Sequence, residues 1–349
     1  MPHRLLPLAA AGVALALAAA LGPPGCRKNA PTPPAVVVYT AHDRVLSEPV
    51  LEEFERRTGI VARVVYDTEA SKTTGLVGRI IARRDRPDCD VFWNNEIVQT
   101  IRLADMGILA PYVSEQARRF PRRFRDPDGR WTGFAARARL IIYNTRQVPP
   151  GKGAPVSLAD FTDPRWRGRA AIARPFFGTT LTHMALLHQA WGADRLATFC
   201  RALRANDVAL CTGNATVRDQ VAAGERAFGL TDTDDAYAAL LDGKPVAVAV
   251  PDANSFGAVL IPNSVSLVAG CPHPEQGKRL IDFLLSAWTE RTLAAGRAAQ
   301  IPLATDLADV KTPWADLLAG TRAAQVDLPA AAAAMTDVVK LLQRERMDR

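Results

Sequence analysis

An acidic cluster follows one of the apolar segments of the chain. Asp232, Asp234 and Asp235 lie within four positions of one another, shortly after residues 227–230 (AFGL). Carboxylates this close disfavour one another unless a positive charge lies beside them. The cluster therefore points to a bound metal ion or to an amine of a ligand, and a solvated acidic turn is the alternative.

Small polar residues occupy two further segments that begin helices. Unpaired N–H groups and the positive end of the dipole make a helix start a natural site for an anion. Thr and Asn are also common helix caps, so capping explains either segment by itself. We expect the following residues to cradle the anionic part of a ligand: Gly178, Thr179, Thr180, Asn214, Ala215 and Thr216.

Two more candidate ligand groups, His42 and Glu96, follow strands in the first third of the chain. If the cargo is a metal ion, we expect His42, Glu96, Asp232 and Asp234 to hold it. Glu96 and Asp234 are also the candidates for the paired carboxylates of a secreted hydrolase, because such pairs carry out glycoside hydrolysis. The sequence contains no H-E-x-x-H, G-x-S-x-G or Walker motif, so we expect a binding protein and not an enzyme.

The elements that must position these residues alternate between strand and helix. Apolar, β-branched strands are predicted at 36–39, 61–66, 90–93, 170–173, 207–211 and 227–230, and a helix follows each of them. This order is typical of a mostly parallel sheet covered by helices on both faces. Because ligands sit beyond the carboxyl ends of such strands, the loops that carry the candidate residues are predicted to meet in one cleft.

Residues 139–144 form a strand that crosses between two lobes, and residues 258–270 form the return strand or strands. The sequence thus predicts an α/β chain of two doubly wound mixed sheets joined by crossing strands. The predicted organisation is a first lobe of 36–135 plus 255–305, a second lobe of 136–254, and C-terminal helices in 306–349.

The N-terminus is typical of an exported protein. Arg4 precedes an uncharged apolar run over 5–21, and small residues lead to Cys26. This is the pattern of a secretory signal, and the run is short for a membrane span, which needs about 20 residues. Gly25-Cys26 resembles the bacterial lipoprotein signal, which implies that Cys26 is lipidated and that 1–26 is the signal peptide. The Pro-rich residues 27–35 are predicted to be a tether.

Export makes disulfide bonds feasible among the remaining cysteines, which are Cys89, Cys200, Cys211 and Cys271. Cys200 and Cys211 are close in sequence, and we predict a disulfide between them. A Cys89–Cys271 bond stays open, and buried free thiols are the alternative for all four. The formal net charge is +7, but the basic residues are scattered and not interleaved with aromatic residues, so no nucleic-acid partner is expected.

Several stretches, in this order and spacing, carry a family resemblance. They are VVVYTAHD (36–43), CDVFWNNE (89–96), RARLIIYNT (137–145), LADFTDPRWRGRAAIARP (158–175) and GNATVRDQVAAGERAFGL (213–230). The chain resembles the iron(III)-type periplasmic binding proteins of ABC importers. The resemblance implies a bilobed type II periplasmic-binding-protein fold and a monomer in the periplasm or on the outer face of the cytoplasmic membrane. It also implies a ligand held in the cleft and delivery to an ABC permease and its ATPase.

The resemblance also implies roles for individual residues. His42 and Glu96 match, within one position, the family's first-loop His and third-strand carboxylate, and Arg137 and Arg139 match its pair of arginines at the crossing. Residues 178–180 and 214–216 match its anion cradle. The family's adjacent tyrosines are replaced by Asp234 and Asp235. Ferric iron favours phenolate and carboxylate oxygens, and both phenolates are absent here. Two cargoes therefore remain, iron(III) or another metal ion and a phosphorylated or phosphonate organic anion, and we favour the organic anion.

Overall fold

The structure, a computed structural model, describes residues 33–67, 74–151 and 153–348. The predicted signal peptide, the lipidation site Cys26 and most of the predicted tether lie outside the described residues. Within the described ranges, no helix has the length and apolarity that crossing a membrane requires.

Ten strands pair within the described part of the chain. In chain order they are β1 (Ala35–Thr40), β2 (Val61–Tyr66), β3 (Val91–Asn94), β4 (Leu109–Ala110), β5 (Thr132–Asn144), β6 (Ala170–Ala173), β7 (Ala209–Cys211), β8 (Phe228–Asp232), β9 (Val246–Ala249) and β10 (Leu260–Val268). The main path is β2-β1-β3-β10-β5-β8-β6-β7, with β4 beside β10 and β9 beside β5. The strands predicted from alternation and β-branched residues are confirmed as β1, β2, β3, β6, β7 and β8.

Helices follow the strands as predicted. They are α1 (Arg44–Thr58), α2 (Thr74–Ala82), α3 (Val98–Asp105), α4 (Gly178–Trp191), α5 (Ala193–Ala205), α6 (Asn214–Ala223), α7 (Thr233–Leu241), α8 (Pro274–Leu284), α9 (Ala287–Ala295), α10 (Ala315–Leu318), α11 (Leu328–Ala333) and α12 (Met335–Arg344). The apolar spacing of residues 274–288 predicts one helix, but the structure has two helices there, α8 and α9. The Ser286 hydroxyl accepts a hydrogen bond from the Thr289 N–H and starts α9 with a new cap.

β5 connects the two halves of the sheet. Its first half pairs antiparallel with β10, and its second half, from Arg139, pairs with β8 and β9. On one side lie the parallel strands β1, β2 and β3, and on the other the parallel strands β6, β7 and β8. The strand is longer than the predicted 139–144. The prediction did not include its buried first half, because Arg137 and several small residues there do not have the pattern of a conventional strand.

The C-terminal helices connect elements from both halves. α11 contacts α3, which follows β3, and α4, which follows β6. Its buried residues are Leu328, Ala331 and Ala332. α12 packs on α4 and α5.

The predicted Cys200–Cys211 disulfide is wrong, because Cys89, Cys200, Cys211 and Cys271 are all free and buried in the structure. Cys200 belongs to the main apolar cluster, together with Ile172 of β6. Cys211 belongs to a separate cluster with Ala171 and Ala173, the neighbours of Ile172. Successive side chains of a strand point to opposite faces, so the two thiols lie on opposite sides of the sheet.

Burial keeps these thiols protonated. Burial raises the pKa of Cys200 to about 12 and the pKa of Cys271 to about 11. It also raises the pKa values of Cys89 and Cys211. The Cys211 Sγ lies 3.4 Å from the Gln220 side-chain oxygen, within reach of a weak S–H hydrogen bond.

Candidate functional site

A cleft open to solvent lies where β6, β7 and β8 end and α4, α6 and α7 begin, and it has about 560 Å³ of empty space. Most of its lining comes from these three strand ends, and Asp43 and Asn95 reach it from the loops after β1 and β3. The lining includes these predicted residues: Arg137, Gly178, Thr179, Thr180, Asn214, Ala215, Asp232, Asp234 and Asp235.

Two helices begin at this cleft without side-chain caps. The N-cap residues are Phe177 for α4 and Gly213 for α6, and neither has a side-chain oxygen to offer. Helix starts of this kind leave their first N–H groups to acceptors other than an N-cap side chain, and the two dipoles favour a negative charge in the cleft.

Arg137 is a buried cation on the cleft wall. Arg137 is 5% exposed, and its Nη1 lies 3.6 Å from Asp234 Oδ2 and 3.9 Å from Asp232 Oδ2. Its Nε and Nη2 have no hydrogen-bond partner among the described residues. Burial by itself lowers the pKa of Arg137, but the carboxylates of Asp234 and Asp232 more than offset this, and the pKa is raised. Buried donors are normally hydrogen-bonded, so this charged fork lacks an acceptor that a ligand would provide.

Asp232 belongs to a buried network below the cleft. Its Oδ1 accepts from Arg139 Nη1 at 2.6 Å, and its Oδ2 accepts from the Thr179 hydroxyl at 2.5 Å and from Asn214 Nδ2 at 2.9 Å. Burial by itself raises the pKa of Asp232, but Arg139 and Arg137 hold it below its ordinary value. Both oxygens are therefore engaged. The carboxylate fixes Thr179 and Asn214 at the starts of α4 and α6.

Asp234 and Asp235 remain at the cleft surface. Ligand-type oxygens of Asp232, Asp234 and Asp235 all lie within 4.8 Å of one another. Besides the Arg137 contact, Asp235 Oδ1 is 3.6 Å from Arg218 Nη1 and its Oδ2 accepts from the Thr231 hydroxyl at 3.3 Å. Among the described residues, guanidinium groups thus supply positive neighbours of the acidic cluster.

His42 does not reach this cluster. It is 4% exposed, its ring lies 5.2 Å from that of Trp93, and its Nε2 is 2.8 Å from Gln300 Nε2. Its chain neighbour Asp43 lines the cleft instead. Because His42 is buried against Trp93 and Gln300, the cleft is lined by the next residue, Asp43, instead of by the predicted His42.

Glu96 is also held elsewhere. Its fully buried carboxylate accepts from Val98 N and Asn94 Nδ2, each at 2.7 Å, and from Gln99 N at 3.1 Å. It also accepts from the Thr182 hydroxyl at 2.7 Å. Burial raises the pKa of Glu96, although these hydrogen bonds oppose the shift. Its neighbour Asn95 lines the cleft. The structure therefore assembles neither the expected metal set of His42, Glu96, Asp232 and Asp234 nor the Glu96–Asp234 hydrolase pair.

Thr216 is the remaining member of the predicted cradle, and it does not line the cleft. Its hydroxyl lies 2.9 Å from that of Thr212. The sequence argument missed Arg174, which lines the cleft after β6. Its position at a strand end is the signal that selects it. Arg174 adds an exposed cation beside the starts of α4 and α6.

Two lobes joined through β5, with a polar cleft at the strand ends, define the class of bilobed periplasmic binding proteins. Residues 91–322 match the family described as bacterial extracellular solute-binding protein, and the chain belongs to that family. The expected family resemblance and the type II fold are confirmed by this match and by solved structures.

Three similar proteins illustrate the range of named ligands. Iron uptake protein A1 of Synechocystis sp. is 26% identical over 269 residues, covering 74% of this chain and 72% of that protein. A Salmonella typhi periplasmic protein, whose name proposes 2-aminoethylphosphonate as its ligand, is 26% identical over 240 residues, 67% of each chain. The structure of AfuA from Actinobacillus pleuropneumoniae with fructose-6-phosphate bound has a TM-score of 0.78 at 21% identity, covering 89% of this chain and 98% of that one.

Proposed function

We propose that this solute-binding protein carries a small organic anion to an ABC importer. The anion has a phosphate or phosphonate group at one end and an amine or hydroxyl groups at the other. The observation that carries the proposal is the buried Arg137, whose Nε and Nη2 have no hydrogen-bond partner among the described residues and which lines the same cleft as two uncapped helix starts. A phosphoryl group supplies the acceptors that all three features call for.

The other end of the ligand faces Asp234 and Asp235. Asp234 and Asp235 are half-buried in the cleft lining, whereas Asp232 is buried. A carboxylate favours an ammonium group or a sugar hydroxyl as a donor. A zwitterion such as 2-aminoethylphosphonate therefore fits both ends, and a hexose phosphate fits the same polarity.

A ferric ion is the second candidate, and the carboxylate group within 4.8 Å is the observation that favours it. Two arguments weigh against it. Asp232 already neutralises Arg139 through a 2.6 Å bond, and the Arg137 guanidinium lies 3.6 Å from Asp234. A trivalent cation at this position would be repelled by both guanidinium groups.

We further propose that the protein binds its ligand without chemical turnover, because Glu96 caps α3 and is not paired with Asp234 across the cleft. The mature chain is proposed to begin at a lipidated Cys26, to act as a monomer in the periplasm or on the outer face of the cytoplasmic membrane, and to be tethered there by residues 27–35.

Titration calorimetry with 2-aminoethylphosphonate, fructose 6-phosphate, inorganic phosphate and ferric citrate tests the proposed ligand class. We expect an organic anion to bind, with no effect of a chelator. Arg137→Met removes a charge-assisted hydrogen bond worth about 1.5–3 kcal/mol, so affinity should fall about 10- to 100-fold. Asp234→Asn should weaken 2-aminoethylphosphonate by a similar factor and leave inorganic phosphate unchanged or slightly tighter.

The matched control is Arg165→Met, because Arg165 is 51% exposed and pairs with Asp160 and Asp163 far from the cleft lining. It should bind as the wild type does. Tight ferric binding that survives Thr180→Ala, with no organic anion bound, contradicts the proposal and favours the metal.

A further inference from the structure

Glu96 and Thr182 link the two sides of the cleft. Glu96 follows β3, and Thr182 lies in α4, which follows β6 on the other side of β5. The Thr182 hydroxyl donates to Glu96 Oε2 at 2.7 Å, and the residues are 1% and 0% exposed. Neither residue lines the cleft.

The same helix end carries both the candidate ligand groups and this link. Gly178, Thr179 and Thr180 line the cleft from the first turn of α4. Thr182 lies four residues after Gly178, so it stands one turn further along the same face of the helix. A ligand that fixes the start of α4 therefore also fixes the Thr182 hydroxyl relative to Glu96.

The hydrogen bond is directed across the lobes and not along the helix. A Thr hydroxyl inside a helix commonly bonds to the carbonyl four residues earlier. Thr182 instead donates to a carboxylate that also accepts the α3 N–H groups of Val98 and Gln99. One buried carboxylate thus joins the first turn of α3 to the first turns of α4.

We infer that the Thr182–Glu96 hydrogen bond is a closure latch, which holds the lobes together around a bound ligand and slows its release. This inference rests on the proposed function of the cleft. Thr182 is a positioning residue, because it acts through the lobe contact and not by touching the ligand. Lobe separation removes the donor from Glu96 and exposes the carboxylate to water, while the α3 N–H groups stay bonded to it.

The test uses the full-length protein with 2-aminoethylphosphonate and fructose 6-phosphate. Thr182→Val keeps the shape of the side chain and removes the hydroxyl. We expect dissociation, measured by stopped flow, to become about tenfold faster, with the association rate changed less than twofold, because Thr182 does not touch the ligand. Thr182→Ser restores the hydroxyl and should restore the slow dissociation.

The control is Thr198→Val in α5, whose hydroxyl donates within its own helix to the Asp194 carbonyl at 2.9 Å. It should dissociate as the wild type does. A Thr182→Val variant that releases ligand within twofold of the wild-type rate, or a Thr182→Ser variant as fast as Thr182→Val, overturns the latch.

Interlobe distances measured by fluorescence transfer keep the two proposals separate. Without ligand, Thr182→Val should shift the distance distribution toward longer values than in the wild type. If the wild type binds none of the organic anions, the proposed ligand class is wrong, and this distance measurement still decides the latch. An unchanged distribution overturns it.

Discussion

His183 should make the protein sensitive to acid. It lies in α4, it is 1% exposed, and its Nδ1 has no hydrogen-bond partner among the described residues. Burial, together with the nearby Arg139 charge, lowers its pKa from 6.5 to about 3, with Asp232 opposing the shift. The imidazole is therefore neutral when folded and becomes protonated readily only when the chain unfolds.

Proton binding to His183 couples the free energy of unfolding to pH. A group with a depressed pKa in the folded state contributes stability that is complete above pH 6.5 and is lost as the pH falls toward about 3. A pH of 4.5 lies about two units below the ordinary imidazole pKa of 6.5, so the imidazole of the unfolded chain is protonated there. At 1.36 kcal/mol per unit, the free energy of unfolding should fall by about 3 kcal/mol from this residue between pH 7.5 and 4.5.

Urea unfolding at pH 7.5 and 4.5 measures this loss. Carboxylates also titrate in this range, so the comparison is with His183→Leu, which should lose about 3 kcal/mol less than the wild type over the same interval. His188→Leu, in the same helix but partly exposed, should keep the wild-type loss. An equal acid loss in His183→Leu and the wild type would refute the reasoning.

Two further predictions concern the buried ion pair and the N-terminus. Arg139→Met leaves the Asp232 carboxylate buried without its 2.6 Å partner and should lower the free energy of unfolding by about 3–5 kcal/mol, measured in urea. Adding Asp232→Asn should recover part of that loss, and an undiminished loss in the double variant would argue against the pairing. Cys26→Ser should move the protein from the membrane to the soluble fraction of cells. Equal solubility of the wild type would contradict the lipid anchor.

Local periodicity was sufficient to predict most elements of the fold. Strands such as β6 run apolar over their whole length, and the helices between the strands keep a 3.6-residue repeat. The rule that ligands lie beyond strand ends then selected the loops that line the cleft. The break at Ser286 was missed, because one hydroxyl cap divides a segment whose apolar pattern continues through it.

Sequence could not decide which residue of a loop faces the cleft. His42 and Asp43 are neighbours, and the choice depends on Gln300, which lies 258 positions away. Likewise, Glu96 is held away from the cleft by the Thr182 hydroxyl of α4, and its neighbour Asn95 lines the cleft instead. These long-range partners carry no local signal.

The acidic cluster could not be interpreted from its own segment either. Its countercharges are Arg137 and Arg139, which lie in β5 and reach Asp232 only because that strand pairs antiparallel with β8. The three carboxylates suggested a bound cation, but in the folded chain arginine side chains about 93 positions away lie beside them.

The four buried thiols make the described part of this chain suitable as an optical reporter. Maleimide dyes react with thiolates, and protonated cysteines in an apolar interior react slowly. A single cysteine introduced on an exposed side chain, for example at Val45, which is 70% exposed, would therefore take up the dye faster than these four under native conditions. A dye placed there, two positions from the cleft residue Asp43, would convert ligand capture into a change in fluorescence without removal of any native cysteine from the core.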